Sequence, residues 1–136
     1  MRNVVVMLFA VTLWFSSNAF GETNGVSGHV SLSPALKAKV AATDTLYILA
    51  RAVQGSHMPL AVLKTQAKDL PFVFVLSDSM AINPEMRISA VDQLVVVARV
   101  SKSGDPMPHS EDLEGTSAVV KPGTTGINLV IDKIVK

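Results

Sequence analysis

Seven short apolar runs, each bounded by turn chemistry, constrain the fold more than any other feature of this sequence. Val26–Leu32 alternates, with Gly28 inside it. Thr45–Val53 carries Leu46, Ile48, Ala50 and Ala52 on one face and Tyr47, Leu49, Arg51 and Val53 on the other. Leu60–Ala67 and Phe72–Leu76 follow, the latter with Phe72, Phe74 and Leu76 on one face. Leu94–Val100 has a Val95-Val96-Val97 centre that predicts burial on both faces. Ser117–Lys121 reads as a short sixth strand. Ile127–Val135 reads as the seventh, with Ile127, Leu129 and Ile131 inward and Asn128 and Asp132 outward. Between the runs lie Gln54-Gly55-Ser56, Asp69-Leu70-Pro71, Ser103-Gly104-Asp105-Pro106 and Pro122-Gly123-Thr124, all turn formers. Seven short strands at this spacing predict an all-β, antiparallel immunoglobulin-like (Greek-key) sandwich. A transthyretin-like sandwich fits the same pattern.

Two stretches fall outside it. Pro34–Val40 reads as one helical turn or an irregular crossover. Residues 78–93 are longer than a hairpin needs, and a short strand over Met86–Ser89 is expected there.

The first 21 residues read differently. Met1-Arg2-Asn3 is a positive start, Val4–Phe15 is apolar except for Thr12, and small residues follow to Gly21. This is the pattern of a secretory signal peptide, and the apolar run is shorter than the ~20 residues of a membrane span. Cleavage is expected after Ala19 or Gly21, leaving residues 22–136 as the β-sandwich domain in the periplasm, with no membrane attachment. An uncleaved anchor is the second reading. Either cut removes Arg2 and no acid, so 11 basic and 11 acidic residues remain and the net charge is zero. A neutral domain has no electrostatic footprint for nucleic acid. About 115 residues suffice for a core that buries roughly two-thirds of the unfolded surface. That core must hold the fold alone, because there is no cysteine and hence no disulfide, thiolate metal site or cysteine nucleophile.

No Gly-x-Ser-x-Gly elbow and no glycine-rich phosphate loop is present. The acids Glu111, Asp112 and Glu114 sit in a polar stretch that reads as a solvated loop. No enzyme is expected, and no cofactor. The polar segment Ser101–Gly115 is the leading binding surface, with Ser101, Lys102, Met107, His109 and Asp112 as its candidate residues. Met107 lies between Pro106 and Pro108, so this stretch can be extended before a partner arrives. The loop Ser77–Met86 is the second candidate, and strand addition at a sheet edge offers a further means of contact. An alternative reading makes the protein a periplasmic copper carrier using His57, Met58, Met107 and His109, since thioethers suit Cu(I). The commoner fate of such methionines is core packing. Arg51 and Arg99 each interrupt an apolar strand, where a charge must reach solvent or a partner. For Arg99, in the most apolar strand, a partly buried ion pair is expected.

Several of these pieces stand in a familiar order. They are Val26–Leu32 with Pro34-Ala35-Leu36, Ala50-Arg51-Ala52 before Met58–Leu63, Asp69-Leu70-Pro71, Leu76–Ala81, Ala98–Gly104, Met107-Pro108 and Asp112–Gly115. Together they resemble the carboxy-terminal periplasmic domain of the CycH/CcmI-type cytochrome c biogenesis proteins, over about Val26 to Val135. The resemblance implies an immunoglobulin-like sandwich without catalysis of its own. It also implies an accessory or chaperone-like role in cytochrome c maturation, with apocytochrome c or the haem-ligation complex as protein partner. In that family the domain follows membrane helices and tetratricopeptide repeats. Here a leader-like segment stands directly before the first strand, so apocytochrome recognition, associated with the repeats, does not carry over by itself. The matching glycines, prolines and methionines look structural under this resemblance: turn glycines and core methionines.

Overall fold

The computed structural model describes residues 25–55 and 58–136. Its strands are β1 (Val26–Leu32), β2 (Thr45–Ala52), β3 (Pro59–Gln66), β4 (Phe72–Leu76), β5 (Leu94–Ser101), β6 (Leu113–Thr116), β7 (Ile127–Ile131) and β8 (Lys133–Ile134). They form two sheets, β4-β1-β7 and β3-β2-β5-β6-β8. All pairings are antiparallel except β1 with β7, which is parallel from Gly28↔Ile127 to Leu32↔Ile131. The protein is an all-β immunoglobulin-like sandwich.

The alternation read from the sequence sets the inner faces. Leu46, Ile48 and Ala50 of β2 pair with Val100, Ala98 and Val96 of β5, so large and small side chains alternate across the sheet. Val30, Phe74, Leu76, Leu129 and Ile131 meet them from the three-stranded sheet, all within one buried cluster. Burial of this apolar area is the main stabilising force available to a chain without disulfides.

Four local expectations change. The sixth strand lies at Leu113–Thr116 instead of Ser117–Lys121. Glu114 and Gly115 weaken its strand pattern, but cross-strand partners override local propensity, with Arg99 registered on Glu114 and Ala98 on Gly115. Of the expected segment, Val120 makes a single bridge with Leu94, and Ser117 binds Val96 through backbone and hydroxyl. Second, the last run divides into β7 and β8, passing from one sheet to the other after Ile131. Third, Met86–Ser89 is no strand. Asn83 and Met86 form one bridge, and Ile88–Ala90 is a 3-10 turn. The Asp78 carboxylate accepts from the Ser89 N–H at 3.1 Å and the Ser89 hydroxyl at 2.6 Å, which turns the chain and drops Ile88 into the core. Pro34–Lys39 is a 3-10 helix, as one of its two readings held. Fourth, Gly115 is a mid-strand residue and not a turn residue, while Gly28 lies mid-strand where its alternating run placed it. A Cβ on Gly28 would stand 2.1 Å from the Ile127 carbonyl oxygen, and one on Gly115 would stand 2.0 Å from that of Val130.

Candidate functional site

Burial extends to the outer face of the five-stranded sheet, where Tyr47, Leu49, Val97 and Arg99 are all buried. The segment after β5 folds back over part of this face. Tyr47 donates its hydroxyl hydrogen to the Gly104 carbonyl at 2.7 Å. Arg99 donates through Nη1 to the Pro106 carbonyl at 2.8 Å. Its Nε and Nη2 reach one Glu114 oxygen, Oε2, at 3.0 and 2.7 Å. The expected ion pair is therefore present, with Arg99 3% and Glu114 27% exposed at the side chain. It clamps the loop to the sheet.

Inside the loop, two buried side chains replace a regular ladder. Ser101 Oγ accepts from the Gly104 N–H at 3.0 Å and donates to the Asp105 carbonyl at 3.0 Å. Asp112 accepts from the Lys102 N–H at 3.3 Å and the His109 N–H at 3.0 Å. These satisfy main-chain groups that the sharp path from β5 to β6 leaves without strand partners. Asp105 Oδ1 accepts from the Met107 N–H at 2.9 Å, and Oδ2 lies 3.0 Å from His109 Nε2. Hydrogen bonding from His109, then from the Met107 amide, holds the Asp105 carboxyl below its ordinary value of 3.8. Lys102 is drawn across to the Pro34–Lys39 helix, with its ammonium 2.5 Å from Asp44 Oδ2 and bonded to the Lys39 carbonyl.

The five candidate residues of this loop thus divide by role. Ser101 and Asp112 are buried supports, and Lys102 is a tether. Met107 and His109 face solvent, with Met107 66% exposed. Sequence reasoning missed Tyr47, Arg99 and Glu114 as parts of the same unit. Only the paired register of β2, β5 and β6 brings them under the loop.

Of the four copper candidates, Met58 is attached at a different register of β2 from the loop that carries Met107 and His109. Met58 precedes Pro59, which registers with Arg51, whereas the loop is anchored over Tyr47. Four strand positions separate those registers, about 13 Å at ~3.3 Å per residue. His57 lies outside the described residues. Among those described, no three His, Cys, Asp or Glu side chains are grouped to hold a metal ion. Met58 is exposed and so is not core filler, whereas Met80 packs on the core as such a methionine would, together with Met86; Met107 is exposed, as a surface residue of the loop should be.

The two sheets and their braced, solvent-facing loop define a domain of the immunoglobulin-like sandwich class. The family model described as the cytochrome c-type biogenesis protein H Ig-like domain matches residues 26–132. The chain belongs to that family. It is 43% identical over 76 residues to the cytochrome c-type biogenesis protein CycH of Pseudomonas aeruginosa, covering 56% of this chain and 19% of that protein. It therefore matches only about a fifth of that relative's length. An uncharacterized protein of Aquifex aeolicus is 30% identical over 109 residues, covering 80% of this chain and 71% of that one. No solved structure matches.

Proposed function

We propose that this protein is a non-catalytic accessory of cytochrome c maturation that works outside the cytoplasm through protein contacts. Its docking surface is the solvent-facing part of the segment between β5 and β6, centred on Met107 and His109, and its partner is apocytochrome c or a component of the haem-ligation complex. Family membership supports the process. The observation that carries the surface is Met107: an unbranched apolar side chain, 66% exposed, on a loop whose backbone is bonded to buried Ser101, Asp112 and Arg99. Most of the ordering entropy of such a loop is already lost before binding, which favours affinity. Met adapts to varied apolar partners. Export with cleavage after Ala19 or Gly21 belongs to the same proposal.

The test places a photo-crosslinking residue at position 107 in cells making c-type cytochromes. A second variant carries it at Val119, which is also exposed but lies on the segment after β6. Adducts to apocytochrome c or a haem-ligation protein from position 107, and not from 119, are expected. Equal labelling from both positions, or none from 107, would overturn the loop assignment.

A further inference from the structure

Each sheet ends in edge strands, and the described edges are not alike. The outward edge of β7 is covered by β6, whose Gly115 lies so close to the Val130 carbonyl that no Cβ fits between them. The β8 edge is two residues long and carries Lys133. The β3 edge begins with Pro59, which has no N–H to offer, and holds an exposed Lys64. Short length, proline and lysine are the usual devices that prevent an edge from pairing with another chain.

β4 has none of them. Phe72-Val73-Phe74-Val75-Leu76 contains no charge, no proline and no glycine, and pairs with β1 along one side only. Among the described residues, no turn or loop backbone hydrogen bond reaches residues 72–76 from the other side. Val73 and Val75 point to solvent at 72% and 49% exposure, while Phe74 and Leu76 between and beyond them are buried.

We propose that β4 pairs with β4 of a second copy of this chain, antiparallel about a two-fold axis at Phe74, joining two three-stranded sheets into one of six. The pattern is self-complementary. About that centre Val73 lies opposite the copy's Val75, so the exposed valines cover one another on one face while the buried phenylalanines stay on the other. Charge agrees with this occupant. The acids flanking the strand, Asp69 and Asp78, fall opposite Ser79 and Leu70 of the copy, so no like charges meet. The β3 edge, by contrast, would bring two Lys64 residues to one interface. Five residues per strand supply less than the ~1,000 Å² of a stable interface. The dimer is accordingly weak and concentration-dependent.

Sedimentation velocity of the full chain, purified as the cell produces it, tests this over a concentration series. Wild type is expected to shift from monomer to dimer. Val73→Lys/Val75→Lys sets lysine against lysine across the axis and should weaken the dimer at least about tenfold. Val73→Glu/Val75→Lys sets Glu against Lys in the same register and should restore it. Both pairs of changes lie on the solvent face, and melting temperatures check that they fold. Amide exchange supplies a second reading without substitution, with protection of Val73–Leu76 rising as protein concentration rises. A wild type that stays monomeric, a dimer indifferent to the lysine pair, or no rescue by the Glu/Lys pair would overturn the proposal. So would protection of β4 that appears only when an unrelated extended peptide is added, since the occupant would then be a foreign strand.

Discussion

Arg99 donates from Nε and Nη2 to a single Glu114 oxygen, yet the two residues are not equivalent. The guanidinium is buried and the carboxylate reaches water. Removing the acid leaves a cation stranded under the loop; removing the arginine leaves a carboxylate that water can solvate. Glu114→Ala should cost about 3–5 kcal/mol, the usual cost of breaking a buried pair from one side. Arg99→Met, which keeps apolar bulk, should cost less than Glu114→Ala. Chemical denaturation of both variants checks the order, and equal losses would contradict it. Asp105 makes the loop sensitive to acid. Its folded value is lowered, so its contribution is present above the ordinary carboxylate value of 3.8 and is lost as pH falls through the folded one. Carboxyl NMR should place Asp105 below 3.8, and His109→Ala should move it up toward that value. The Met107 amide, which remains, keeps part of the shift.

At the scale of elements, the sheets meet where side chains are absent. Gly115 lets β6 lie against the Val130 carbonyl at the point where the chain leaves β7 for β8. A Cβ there meets backbone, which cannot swing aside as a side chain could. Gly115→Ala should therefore cost about 1–3 kcal/mol or more through overpacking, read as a lower melting temperature with weakened amide protection in β6 and β7. Gly55 provides the contrast: its Cβ would meet nothing within 4 Å, and its φ of +90° makes the backbone itself the constraint. The sequence pattern located five strands closely because their period-2 alternation is local. It misplaced β6, whose place is decided by long-range register with β5.

Over the whole molecule, the loop and the leader carry the functional reading. Intact mass of protein from the envelope fraction should correspond to a chain beginning at Phe20 or Glu22. A species retaining Met1–Phe15 would contradict cleavage. Copper provides a second global test. Because Met58 and the Met107–His109 loop lie at different registers of β2, chelator competition should find no Cu(I) site lost by both His57→Ala and His109→Ala. Tight binding abolished by each of the two changes would require those registers to be brought together.

Fold class, the split of side chains between the faces of β2, β4 and β7, the two-sided burial of β5, and the demand that Arg99 be paired were legible in the chain alone. Each follows from covalent order: alternation places side chains on a face, and a charge in an apolar strand must find a counterpart. The identity of that counterpart was not legible, nor was the division of Ser101, Lys102, Met107, His109 and Asp112 into supports, tether and exposed tip. Those properties depend on which distant backbone a residue faces. Glu114 reads as a loop acid until β6 lies against β5, and Gly115 reads as a turn former until β7 crosses within 2.0 Å of where its Cβ atom would stand. Tertiary structure decided them because burial and register are properties of pairs of segments, and a single segment carries only half of each pair.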